Sequence, residues 1–155
     1  MAKSRLRILV VDDEVDIRLV VERRLALKGY EVITAATGYE GLNKARGEHP
    51  DLIVLDLMLP GIDGNQVCAM LKRDLRYRDI PILVLSAKSQ ARDVEVSMQC
   101  GADAYLVKPF DQETLLIQIE TLLGSGPDGP PAAEDRVRVA RTQTAAAVAK
   151  SQAGS

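Results

Sequence analysis

Five short apolar runs alternate with five longer stretches of helical periodicity, and this alternation narrows most severely what the chain can become. The runs are Leu6–Val11, Glu31–Ala35, Leu52–Asp56, Ile82–Ser86 and Ala104–Val107. Leu6–Val11 and Leu52–Leu55 are nearly all apolar, as expected of strands covered on both faces. Between the runs, Val15–Lys28 places Val15, Leu19, Val20 and Leu27 at helical spacing, with Gly29 positioned to cap it. Tyr39–Arg46, Gln66–Arg73, Gln90–Cys100 and Gln112–Leu123 read as helices in the same way, Gly101 closing the fourth. Repeated β-α units predict a doubly wound α/β domain: a five-stranded parallel sheet with helices on both faces.

At 155 residues the chain accommodates one such domain. Hydrophobic residues are 46% of the total and aromatics 3%, so aliphatic side chains must build the core. No apolar run approaches the roughly 20 residues of a membrane span, and Leu6–Val11 is too short for a signal peptide. A cytoplasmic protein without membrane contact is expected. The net charge of -2 supplies no footprint for direct nucleic-acid binding. Cys68 and Cys100 lack companion Cys or His at ligand spacing and read as small buried hydrophobes. After Leu123 the character changes. Gly124–Pro131 is linker-like, and Ala132–Ser155 has little to bury, so residues 1–123 form the domain and 124–155 a flexible linker and disordered tail.

The strand ends carry the chemistry. The first run ends in Asp12-Asp13-Glu14, the third in Asp56, the fourth in Ser86 and the fifth in Lys108. In an open α/β sheet, ligands bind outside the carboxyl ends of the strands where the strand order reverses. The order 2-1-3-4-5, common to flavodoxin-like sheets, would make strands 1 and 3 neighbours there. Asp12, Asp13 and Asp56 then share one acidic pocket, flanked by Ser86 and Lys108. Three such carboxylates repel one another unless a cation or proton intervenes. Mg²⁺ suits them, because it takes oxygen ligands and keeps several waters. Lys108 offers a point charge for phosphoryl oxygens and Ser86 a neutral donor, while a carboxylate can itself be a phosphoryl acceptor. Taken singly, each residue reads as a turn, a cap or a surface charge; it is their joint placement at strand ends that points to a site.

Residues 5–123 resemble a response-regulator receiver, the chemotaxis-type module of bacterial two-component signalling and phosphorelays. The resemblance rests on ILVVDDE (8–14), PDLIVLDLMLPGIDG (50–64), PILVLSA (81–87) and GADAYLVKPF (101–110). It implies that Asp56 accepts a phosphoryl group as aspartyl phosphate. Asp13, Asp56 and the Met58 backbone carbonyl would ligate Mg²⁺, with Asp12 acting mainly through water. Lys108 would pair with a phosphoryl oxygen, Ser86 would be drawn towards it, and Tyr105 would change rotamer as Ser86 moves. Lys108-Pro109 falls where the family has a cis peptide, and Pro60-Gly61 and Asp63-Gly64 fit turns after the acceptor.

The resemblance also implies partners. A sensor histidine kinase or phosphotransfer protein would dock on the first helix, with Val15, Arg18, Leu19 and Glu22 as candidate contacts. Downstream stands either another protein or an effector domain beyond the GSGPDGPP linker. The receivers of winged-helix transcription regulators pair through the fourth helix, fifth strand and fifth helix by interlocked charges. Those positions are here Val94, Gln99, Ala104, Thr114, Gln118 and Glu120, which lack that complementarity. Val94, Met98 and Ile117 are expected instead to form an apolar output face for a different protein partner.

Two enzymatic or cofactor readings fit less well. A phosphatase with an aspartate nucleophile wants a second Asp two positions on, where this chain has Met58. A flavin protein wants a phosphate-cradling loop after the first strand, where this chain has Asp12-Asp13-Glu14. His49, the single histidine, precedes Pro50 in an expected loop and reads as a surface residue rather than a phosphodonor. The arginines at 136, 138 and 141 sit beside Glu134 and Asp135, the pattern of a solvated tail.

Overall fold

The computed structural model describes residues 5–124. The ten elements alternate: β1 (Arg7–Val11), α1 (Val15–Leu27), β2 (Glu31–Ala35), α2 (Gly38–Glu48), β3 (Leu52–Asp56), α3 (Gly64–Lys72), β4 (Ile82–Ser86), α4 (Ala91–Gln99), β5 (Ala104–Val107) and α5 (Gln112–Leu123). The strands form one parallel sheet in the order β2-β1-β3-β4-β5. The expected fold is the observed one. The linker and tail expected from residue 125 onwards lie outside the described residues.

Side chains on a strand alternate between faces, and the core divides accordingly. Leu9, Val11, Ile53, Leu55, Ile82, Val84 and Tyr105 face α2, α3 and α4. Ile8, Val10, Leu52, Val54, Leu83, Leu85 and Leu106 face α1 and α5. Cys68 lies in the first of these layers as a hydrophobe, and burial pushes its thiol up to about 12.

Helix α1 corrects the sequence reading. Val15, Leu19, Val20 and Leu27 are exposed, and the helix buries Val21 and Leu25 instead. Apolar residues occur around most of this helix, so periodicity does not single out one face; packing against β1 and α5 makes the choice. Helix α3 begins earlier than expected. Asp63 is its N-cap, accepting from the Gln66 amide at 2.9 Å, while the Gln66 side chain accepts from the Asp63 amide at 3.0 Å. This reciprocal pair starts the helix at Gly64, a residue expected in a turn. His49 is the C-cap of α2 in the left-handed conformation (φ 51°), its ring beside Tyr77.

A buried ion pair ties the opposite end of the sheet together. Lys72 Nζ lies 2.8 Å from Asp103 Oδ2 and donates to the carbonyls of Arg78 and Ile80 at 3.0 and 2.7 Å. Asp103 also accepts from the Ile82 amide at 2.8 Å. One ammonium thus joins α3, the loop before β4 and the start of β5, away from the acidic end.

Candidate functional site

The sheet order makes β1 and β3 neighbours, with Val11 paired to Leu55, so Asp12 and Asp56 emerge side by side. Asp56 pairs with Leu85, which sets Ser86 one residue beyond it on β4. Ser86 pairs with Val107, and the Lys108 amide donates to the Ser86 carbonyl at 2.8 Å. Register alone therefore gathers the expected residues at one end of the sheet.

Oxygens of Asp12, Asp13 and Asp56 lie within 4.8 Å of one another. Asp12 and Asp56 are buried and Asp13 is exposed. Lys108 Nζ lies 3.0 Å from Asp12 Oδ2, 3.3 Å from Asp56 Oδ2 and 3.6 Å from Glu14 Oε1. Burial works against the Lys108 charge, but hydrogen bonding to Asp12 and the field of both aspartates raise its pKa overall. Burial pushes the Asp56 carboxyl up to about 6, and Asp12 adds to the rise; Lys108 and the Met58 amide oppose it. That amide lies 3.2 Å from Asp56 Oδ1, while the Met58 side chain points to solvent.

Ser86 is fully buried, and its Oγ accepts from the Lys88 amide at 3.1 Å. Tyr105 is fully buried as well, and its hydroxyl donates to the Lys88 carbonyl at 2.7 Å. Both residues thus meet the β4–α4 loop at Lys88. The Lys108–Pro109 peptide is cis, as expected.

A hard divalent cation fits this donor set. Three carboxylates converge from two adjacent strand ends, one of them open to solvent, and a single ammonium offsets only part of their charge. Sequence reasoning missed the part played by Arg18. It is half-buried on α1, and its Nη1 donates to the Asp12 carbonyl at 2.7 Å. Its position one turn into the helix after the acidic strand end was the available signal.

Comparison with known proteins settles the family. The response regulator receiver domain matches residues 8–120. The chain belongs to the response regulator receiver family. The receiver is 46% identical over 123 residues to the probable transcriptional regulator ycf27 of Cyanophora paradoxa, covering 79% of this chain and 50% of that protein. It is 46% identical over 117 residues to the DNA-binding dual master transcriptional regulator RpaA of Synechocystis, covering 76% and 48%. It thus spans about half the length of the curated relatives it matches. The chemotaxis response regulator CheY4 of Vibrio cholerae superposes with a TM-score of 0.72 at 35% identity, over 76% of this chain and 98% of that one. Among the described residues, no helix is long and apolar enough to cross a membrane.

The faces expected to dock partners need two corrections. On α4, Val94 and Met98 are half-buried against the core, and Val96 is the exposed apolar residue. On α5, Ile117 is exposed as expected. Ala104 and Gln118, read as positions on a dimer face, are buried within the domain. On α1, Val15 and Leu19 are exposed and Glu22 is half-buried, but Arg18 is engaged with Asp12.

Proposed function

We propose that this receiver is a phosphorylation-dependent switch whose acceptor is Asp56. The observation that carries the reading is the convergence of the Asp12, Asp13 and Asp56 carboxylates beside the Lys108 ammonium. Asp13, Asp56 and the Met58 carbonyl would hold Mg²⁺, with Asp12 contributing through water. When bound, Mg²⁺ would offset the repulsion between the carboxylates and the incoming phosphoryl oxygens. A carboxylate oxygen of Asp56 forms the new P–O bond as the P–N bond of the donor phosphohistidine breaks. The bonding pair returns to the imidazole nitrogen. Lys108 pairs with a phosphoryl oxygen, and Ser86 supplies a neutral hydroxyl donor. The chain catalyses only its own phosphoryl transfer and hydrolysis, within the cytoplasm.

A histidine kinase or phosphotransfer protein docks on the outer face of α1 through Val15, Leu19 and Glu22. What supports this is the exposure of Val15 and Leu19 on the helix whose Ile17, Val20 and Val21 wall a groove of about 460 Å³ shared with Lys108 and Phe110. Phosphorylation draws Ser86 towards the phosphoryl group, and Tyr105 changes rotamer and gives up its bond to the Lys88 carbonyl. The output is a changed protein-docking face near Ile117 and Val96, contacting a separate protein or an effector domain attached beyond the linker. The receiver, residues 1–123, makes no direct contact with nucleic acid.

Incubation with Mg²⁺ and acetyl phosphate, followed by intact mass, tests the assignment. Wild type gains one phosphoryl group and Asp56→Asn gains none. Equal labelling of the variant would place the acceptor elsewhere.

A further inference from the structure

The peptide joining Asp12 to Asp13 is held by a side chain that belongs to neither strand nor pocket. The Asp12 amide donates to the Ala35 carbonyl at 3.1 Å, which anchors the residue to β2. Its Oδ1 accepts from the Glu14 amide at 2.9 Å, and its Oδ2 faces Lys108 at 3.0 Å. These contacts fix the amide and carboxylate of Asp12. Its carbonyl oxygen accepts from Arg18 Nη1 at 2.7 Å. That oxygen lies in the peptide plane from which Asp13 continues.

Asp13 needs such help. Its carboxylate makes no hydrogen bond or ion pair among the described residues, yet it stands with Asp12 and Asp56 in the cluster. The backbone sets where that side chain starts, so a contact that holds the Asp12–Asp13 peptide bears on where the carboxylate reaches. Arg18 reaches that backbone from α1. Its charge also extends to Glu40, which is held below the usual carboxylate range chiefly by Lys44, with the Ala36 amide and Arg18 adding.

We infer that Arg18 is a positioning residue: it holds the Asp12–Asp13 peptide so that the Asp13 carboxylate is presented with Asp12 and Asp56 to a divalent cation. This rests on the Mg²⁺-dependent reading of the pocket. It also removes Arg18 from the kinase-contacting set and makes it a link between α1 and the acidic pocket.

The alternative is that Arg18 is merely a nearby positive charge. The two roles predict opposite signs. Removing a cation beside three carboxylates would strengthen Mg²⁺ binding by Coulomb attraction alone. Losing the positioning contact weakens it, by about tenfold for a typical supporting partner of a metal ligand.

Calorimetric titration of Mg²⁺ into the full chain at neutral pH and fixed ionic strength decides between them. Arg18→Met is expected to bind Mg²⁺ about tenfold more weakly than wild type. Arg18→Lys, which keeps a donor and the charge, recovers part of that loss. Arg24→Met, which removes an exposed cation from the last turn of the same helix, shows no such weakening. Circular dichroism confirms that each variant is folded; if Arg18→Met is not, Arg18→Gln replaces it. Binding by the folded variant as tight as wild type, or tighter, overturns the inference. Absence of Mg²⁺ binding by wild type would overturn the reading of the pocket itself, and the inference with it.

Discussion

Gly64 is packed against the backbone of Asp56. A Cβ added at Gly64 would collide with the Asp56 carbonyl oxygen and fall 2.8 Å from the Leu57 Cα. The Gly64 amide donates to the Leu57 carbonyl at 2.9 Å. The first turn of α3 therefore touches the strand end that presents Asp56, and a side chain at Gly64 cannot be added without moving it.

Gly64→Ala is accordingly expected to destabilise the domain by about 2–3 kcal/mol, the upper range for overpacking, because backbone atoms cannot retreat as a side-chain tip would. It should also slow labelling by acetyl phosphate. Gly47→Ala is the control, since nothing lies within 4 Å of its added Cβ. Within a helix that change should stabilise by about 0.5–1 kcal/mol. Chemical denaturation of both variants, with labelling time courses, checks the contrast. Equal effects would mean that Gly64 has no special contact.

Asp56 makes stability depend on pH with a definite sign. Its carboxyl is raised from 3.8 to about 6 in the folded chain, by burial first and Asp12 second. Between those values the folded state holds a proton that the unfolded state has released. The stabilisation is therefore complete below about pH 4 and lost as pH rises through about 6. Without added Mg²⁺, Asp56→Asn should gain on wild type across that window, by on the order of 3 kcal/mol. Mg²⁺ competes for the same carboxylate, so its affinity for wild type should weaken below about pH 6. Paired urea melts from pH 4 to 8, with Mg²⁺ titrations, measure both. A constant difference between the proteins across this range would contradict the assignment.

Leu19 is 56% exposed, so Leu19→Arg should leave stability within about 0.5 kcal/mol of wild type. Leu19→Arg and Glu22→Arg should each slow phosphoryl transfer from the cognate histidine kinase, while acetyl phosphate labels them at the wild-type rate. Parallel loss with both donors would show damage to the pocket instead of to docking.

Lys72 and Asp103 form an ion pair whose side chains are 15% and 10% exposed. Lys72→Met leaves the Asp103 carboxylate buried without its cation and two carbonyls without their donor. A loss of about 3 kcal/mol is expected, or a fall in Tm on the order of 10 °C. Because this pair lies at the far end of the sheet, labelling at low temperature should be unaffected. An unchanged melt would show that the pair adds nothing to stability.

Much of this protein was legible in its sequence, for a local reason. Strands covered on both faces require runs such as Leu52–Leu55, and a parallel sheet sends each strand's carboxyl end to the same side. Asp12, Asp56, Ser86 and Lys108 could therefore be assigned to one place once the strands were recognised. Tertiary structure decided what local patterns left open. Helix α1 is apolar around most of its circumference, so only packing determined that Val21 and Leu25 go inward while Leu19 and Leu27 face water. On α4, Val94 and Met98 pack against the core layer of the facing sheet side, and Val96 is left exposed. Arg18 meets the Asp12 carbonyl, and Lys72 meets Asp103. A sequence specifies which groups can hydrogen-bond, but these partners are set by where helices settle on the sheet, a choice made by the summed packing of the whole core.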